Sequence, residues 1–421
     1  MKKRVVVTGI GVIAPCGIGK QKYWEGLEEG KSWIKSDPEM IEWKTKSQVS
    51  VRVPDFSFEK ICSSEGWDEV IACDRFVQMG VAAGFMALQD TLPLPNDEET
   101  KGIVFSSAIG GTHYIEDIFR RSSDFGKRPI QYMPIGPSFY HSGLFNYPAS
   151  VLAQKYQFTG PVASLSTGCT AGLDTIGMSL MLIESGEARV MLAGASEAPL
   201  CPLTYATLDV IGSLSTAEVP PIAASCPFDK RRKGFVISEG AAFLVLEEME
   251  YALKRGARIY AEIISYASQN NSLHMNELPH HGNPMAKVIA EALQRANLKP
   301  DQIDYINAHG SSTQQNDLFE TNAYKSVFGE FAYKIPISST KSIIGHSLSS
   351  ASLLGSIAAI GSIVRSKIHP TANLDEPDPE CDLFYTPKIA LQKDVNRCMV
   401  TASGFGGIHS VAIFAKVGSY G

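Results

Sequence analysis

Short apolar runs that stop at clusters of small residues recur along this chain, and an apolar helical period follows several of them. In the first half the runs cover residues 102–106, 162–166 and 190–193; they end at Gly110 and Gly111, at Gly168 and Cys169, and at Gly194. The second half repeats the theme at residues 303–306, 335–338 and 399–401, ending at His309 and Gly310, at Thr340 and Lys341, and at Gly404 to Gly407. Residues 173–183 read as one of the helices, and residues 411–415 as a closing strand. Strand, tight turn and helix in that order predict an α/β fold with functional groups at the strand ends. Two similar halves, residues 1–254 and 255–421, predict an internal duplication sharing one core, and the long period excludes a solenoid.

The N-terminus predicts a strand at residues 4–8 followed by a glycine turn at Gly9 and Gly11. A dinucleotide loop is a weak alternative there, because the third glycine is missing from its required spacing. A secretory leader is opposed by Thr8, Gly9, Gly11 and Pro15, which interrupt the apolar run before Cys16. Residues 353–364 form the longest apolar stretch. They are too few to span a bilayer and predict a buried helix. Residues 65–74 and 124–147 read as long irregular segments, hence as functional or partner surfaces.

A formal net charge of −6 gives no electrostatic footprint for nucleic acid. The eight cysteines are scattered without a C-x-x-C pair, which excludes a disulfide framework or structural zinc and predicts a reducing, cytoplasmic setting. Seven of them read as small buried hydrophobes. Cys169 differs, because Ser166, Thr167, Gly168, Thr170, Ala171 and Gly172 build a strand-to-helix turn around it. At a helix N-terminus the unpaired N–H groups favour a thiolate. That points to a nucleophile, against the plainer reading of a packed thiol in a tight turn.

His309 and His346 each follow a strand among small or hydroxylic residues, with Lys341 shortly before the second. A lone histidine is usually a core residue, but two so placed suggest a cleft. Papain-like hydrolysis needs one histidine oriented by an amide or carboxylate. Two neutral imidazoles instead suit an enolate oxygen, and the turn from Gly404 to Gly407 offers a backbone N–H that, with that of Cys169, makes an oxyanion hole. No carboxylate is spaced with a histidine as a metal-ligand pair, and metal catalysis is disfavoured.

Cys169, then Asn307-Ala308-His309-Gly310 with Thr313, then Lys341, Gly345 and His346, then Gly404-Phe405-Gly406-Gly407 resemble the β-ketoacyl synthase family of the thiolase superfamily, across the whole chain. Within it, the segments around His274, Asp317, Pro370 and Asp378 look most like the ketosynthase α subunit of type II aromatic polyketide synthases. Fatty-acid enzymes of the fold usually show Asn-Ser-Phe and Thr-Asn where this chain has Thr401-Ala402-Ser403 and Ile408-His409. The resemblance implies a duplicated, five-layered α-β-α-β-α thiolase-like fold. It also implies a decarboxylative Claisen condensation: Cys169 takes the growing chain from the phosphopantetheine arm of an acyl carrier protein, and the enolate from malonyl carrier protein, held by His309 and His346, attacks it.

Lys341 is then expected to orient the histidines with Asp317 and Glu320. Ser311 and Thr313 would hold the pantetheine arm, and Phe405 would gate the cysteine. No permanently bound cofactor is implied. The partners implied are an acyl carrier protein and a homologous chain-length factor that lacks the cysteine; Cys169 makes this chain the catalytic member of the heterodimer. The basic run Lys230-Arg231-Arg232-Lys233 is either a solvated turn or an attraction for an acidic carrier. Two departures stand out. Ser349, Ser350 and Ser352 interrupt the usual Gly and Ala run after His346, and Gly355 stands where a glutamate is common, which predicts different wiring around Lys341. The rival reading is a fatty-acid condensing enzyme with the same mechanism. A thiolase is disfavoured, because its second active-site cysteine would be expected where Gly404 to Gly407 stand.

Overall fold

The computed structural model describes residues 3–62, 66–91, 93–95, 100–136 and 138–419. Met1, Lys2 and Glu65, which enter the leader and irregular-segment readings above, lie outside the described residues. Elements that frame the site are numbered here in chain order: strands β1 (Val5–Ala14), β2 (Lys101–Ser106), β3 (Val162–Leu165), β4 (Val190–Glu197), β5 (Gly240–Glu248), β6 (Ala261–Asn270), β7 (Tyr305–Asn307), β8 (Ile337–Ser338), β9 (Arg397–Gly404) and β10 (Ile408–Ala415). The helices are α1 (Arg75–Asp90), α2 (Thr112–Ser123), α3 (Tyr147–Tyr156), α4 (Ala171–Ser185), α5 (Asn283–Arg295), α6 (Gln314–Phe328) and α7 (Leu348–Arg365).

Two strand sets repeat one topology. The first runs β3-β2-β4-β5-β1 and the second β8-β7-β9-β10-β6. In each, the second strand is parallel to both neighbours and the remaining pairs are antiparallel. Three antiparallel residue pairs, Val5 to Val7 against Ile263 to Ala261, join the sets. Helices α4 and α7 pack on each other and on strands of both sets, while α1 and α3 cover the first set and α5 and α6 the second. The outcome is the five-layered arrangement. Strands sandwiched in this way are apolar on both faces, as the wholly buried β1, β4 and β5 are.

The glycines of β1 are not a turn. The strand runs through them to Ala14 with a register shift between Val7 and Gly9. A Cβ on Gly11 would lie 1.9 Å from the Ala83 carbonyl oxygen, and one on Gly9 2.4 Å from that of Ala87. These residues are glycine so that α1 can lie close on the strand. The same reason holds at Gly172, where a Cβ would sit 2.5 Å from the Ser349 carbonyl oxygen of α7.

The long irregular segments are partly helical. Asp68–Ile71 and Ser138–Gly143 form short helices, the first burying Val70 and the second burying Ser142, whose hydroxyl accepts from the Asp74 N–H. Helix α7 has the length and composition to cross a membrane, but 89% of it is buried inside the protein. It is the central packing helix. Strand β3 is the outermost strand of its set, and Val162 on it is 44% exposed.

Candidate active site

Strand β3 ends at Leu165, and the chain turns through Gly168, which has φ +66°, into the short 3-10 turn holding Cys169 at the head of α4. A left-handed residue is needed there, and only glycine takes that conformation freely. Cys169 is buried and lines a cavity of about 480 Å³ together with His309, His346, Ser311, Thr313 and Phe405. Burial pushes its thiol up to about 11, against the pull of the Lys341 charge and of the N–H groups of Phe405 and of Cys169 itself. The thiolate expected from the helix terminus is therefore not the resting form; loss of water outweighs the helix end. Alkylation of Cys169 by iodoacetamide is expected to keep accelerating as pH rises from 7 to 10, since more thiol ionises toward its raised pKa. A rate plateau below pH 9 would contradict this environment.

His309 follows β7 and His346 follows the short helix Lys341–Ile344. Their rings stand 5.4 Å apart at 79°. Burial, and then the neighbouring Lys341 charge, hold both well below the usual histidine range. Each is a neutral imidazole at pH 7, with one N–H to donate. The Nδ1 of His346 has no hydrogen-bond partner among the described residues, so no amide or carboxylate holds the ring at that nitrogen.

Lys341 Nζ donates to the His309 carbonyl oxygen at 2.5 Å, and burial lowers its pKa to about 8 despite the Glu320 and Cys169 charges. Glu320 accepts from the N–H groups of His309 and Gly310, both at 2.8 Å, and from Tyr324 and Thr401 hydroxyls. Lysine and glutamate thus grip the two sides of one peptide and fix where His309 stands. Asp317 is one step removed. It accepts from Phe228 and Ser312 N–H groups and faces Arg232 at 3.8 Å, while burial raises it to about 6. The hydroxyls of Ser311 and Thr313 are 2.9 Å apart.

Phe405 sits in the hairpin between β9 and β10, where its backbone N–H is among the groups that pull the Cys169 pKa down. A Cβ on Gly404 would lie 3.3 Å from the Cys169 nitrogen, so hairpin and nucleophile turn are in close contact. The loop after β6 clamps this hairpin: Asn270 Nδ2 donates to the Gly406 carbonyl, Asn271 N–H to that of Gly407, and Gly406 N–H to that of Met275.

Gly355 faces Asn307, whose Oδ1 would lie 2.6 Å from an added Cβ. Asn307 fills that space and donates to the Tyr305 hydroxyl at 3.0 Å and pairs with His369 Nε2 at 3.1 Å. The basic run is largely neutralised: Lys230 pairs with Glu376, Arg231 with Asp229 and Asp375, and Arg232 with Asp378. Lys233 lines the cavity.

Three groups near the site carried no motif. Glu197 ends β4, fully buried and raised by that burial to about 7, with Ser349 donating to it at 2.5 Å and Ser107 at 3.1 Å. Its signal was a lone carboxylate closing an apolar strand. His409 meets Ser403 Oγ at 3.0 Å, and burial lowers it to about 4. Asp174 lies on α4, the one acid in an otherwise small and apolar first turn.

Comparison with known proteins fits this geometry. The family model described as Beta-ketoacyl synthase, N-terminal domain, matches residues 2–252, and its C-terminal counterpart matches residues 260–375. A putative polyketide beta-ketoacyl synthase 1 of Streptomyces halstedii is 40% identical over 418 residues, covering 98% of each chain. Among solved structures, a type II polyketide ketosynthase in complex with its acyl carrier protein and bound to the hexaketide superposes with a TM-score of 0.92 at 40% identity, covering 99% of this chain and 100% of that one. The ishigamide ketosynthase/chain length factor does so with a TM-score of 0.89 at 31% identity, again covering 99% and 100%.

Proposed function

The chain belongs to the β-ketoacyl synthase family, and from that premise we propose that it is the catalytic ketosynthase subunit of a type II polyketide synthase. The observation that carries this reading is one cavity holding a cysteine and two neutral imidazoles. In the first step the Cys169 sulfur attacks the thioester carbonyl of an acyl chain on the phosphopantetheine arm of a carrier protein. A C–S bond to Cys169 forms, the pantetheine C–S bond breaks, and the Cys169 proton leaves with the pantetheine thiol. The N–H groups of Cys169 and Phe405 receive the developing oxyanion.

Malonyl carrier protein then enters, with Ser311 and Thr313 hydroxyls as hydrogen-bonding groups for the arm. Its carboxylate leaves as CO2, and the electron pair of the broken bond becomes an enolate whose oxygen accepts N–H bonds from His309 and His346. The enolate carbon attacks the Cys169 thioester; the new C–C bond displaces the Cys169 thiolate, which regains a proton. A hydrolase is disfavoured because His346 Nδ1 has no orienting acceptor among the described residues, and imidazoles held well below the usual histidine range are weak proton acceptors that still donate an N–H to an enolate.

The chain-length factor belongs to this reading as the second subunit. Its support is the outer edge of β3, which pairs with no strand among the described residues, together with the exposed apolar side chains Phe119, Ile130, Tyr132, Met133 and Tyr140, of a kind that marks protein interfaces. The division at residue 254, a cytoplasmic setting and phosphopantetheine delivered on the carrier are part of the same proposal. The test mixes the purified chain with its homologous genomic neighbour, malonyl carrier protein and a primed carrier, and identifies products by mass. Poly-β-keto chains that require the neighbour are expected. Single condensations on saturated acyl carriers by this chain alone would assign it to fatty-acid synthesis instead.

A further inference from the structure

Asp174 is buried in the first turn of α4, and all four of its hydrogen bonds come from hydroxyl groups. Thr167 and Thr170 donate to Oδ2, the second at 2.8 Å; Tyr266 donates to Oδ1 at 2.7 Å, and Ser410 donates to the same oxygen. Four donors match the acceptor capacity of one carboxylate. The origins of those donors matter more than their number. Thr167 and Thr170 bracket Cys169 in the nucleophile turn. Ser410 sits on β10, two residues after Ile408, where the hairpin containing Phe405 closes. Tyr266 comes from β6, whose end carries the loop that clamps the same hairpin.

One carboxylate therefore ties the nucleophile turn to the hairpin that packs against it. We infer that Asp174 is a positioning residue that sets the spacing of the Cys169 and Phe405 N–H donors, and so controls acyl transfer without touching the substrate. The inference rests on the proposed role of Cys169 as nucleophile. A hydroxyl network centred on a charged acceptor is geometrically strict, because each rotor is aimed at one oxygen. Replacing the carboxylate by an amide keeps the shape and turns one acceptor atom into a donor.

The test compares two reactions of the same sulfur in wild type and Asp174→Asn, at one pH. Attack on an acyl-pantetheine thioester builds an oxyanion and needs both N–H donors. Displacement of iodide from iodoacetamide does not. Asp174→Asn is expected to slow thioester acylation of Cys169 about 10-fold or more, the scale of a small misplacement of catalytic groups, while alkylation per thiolate, with the thiolate fraction taken from each variant's pH profile, stays within about twofold and the thioester KM is unchanged. Should that variant fail to fold, Ser410→Ala removes the hairpin's bond to Asp174 along with the Ser410 contact to Ser268 and is expected to give the same split, whereas Ser268→Ala is expected to give none. Equal loss of both reactions in the folded variant, or no loss of either, overturns the inference. A wild-type chain that is alkylated at Cys169 but never acylated overturns the nucleophile reading, and the inference with it.

Discussion

Cys169→Ala will abolish covalent loading, and condensation will fall by about 10^4-fold or more, the scale seen when a nucleophile is removed from a preorganised site. The side chain is buried in a turn of small residues, and removing one sulfur atom costs about 1 kcal/mol of stability, so the variant folds. Intact-mass measurement after incubation with an acylated carrier protein reads the result directly: an acyl adduct on wild type and none on the variant. Because seven other cysteines are also buried, an adduct surviving on Cys169→Ala would move the nucleophile elsewhere and sink the assignment. The same variant is expected to retain malonyl decarboxylation, since the enolate's two donors are untouched.

His309→Ala is expected to do the reverse. The ring supplies one of two N–H donors to the enolate, and deleting an oxyanion donor of this kind costs roughly 10²–10³ in rate, or about 2.7–4 kcal/mol. Malonyl decarboxylation should fall by that factor, while acyl loading of Cys169 changes by about fivefold or less. The separation is possible because the backbone at this position is held by groups other than the ring: Lys341 on its carbonyl and Glu320 on its N–H. A parallel loss of loading and decarboxylation would show that His309 supports the cavity and does not serve the enolate.

The residues legible in the sequence are those whose role is set by a local turn. Cys169, His309 and Lys341 each follow a strand within four residues among small residues, while His346 follows not a strand, as the sequence predicts, but the short helix that Lys341 opens. What escaped is what distant segments assemble. Asp174 lies 236 positions from Ser410 and 92 from Tyr266, and Glu197 lies 152 from Ser349; no window along the chain contains both partners. Arg232 looked solvated for the same reason, since Asp378 is 146 residues away. Gly9 and Gly11 were misread because a glycine that lets a helix approach a strand is spelled like one that turns the chain. The duplication was legible as a rhythm, whereas the three-pair seam between Val5–Val7 and β6 was not, because nothing in β1 marks which of its ten buried residues face a second partner strand.

Among the described residues strand β3 is laddered on one side only, and Cys169 follows its last residue by four positions. A strand bonded along one edge frays sooner than one bonded along both. The nucleophile turn therefore hangs from the least restrained strand of its set. Whatever closes the free edge binds the folded form alone, and it stabilises that form by mass action, by about 2.7 kcal/mol when present at 100 times its dissociation constant. For an assembly in which a second subunit closes this edge, melting temperature and the order of the Cys169 turn are expected to depend on subunit concentration. Dilution would loosen the sulfur's setting before it unfolds the chain.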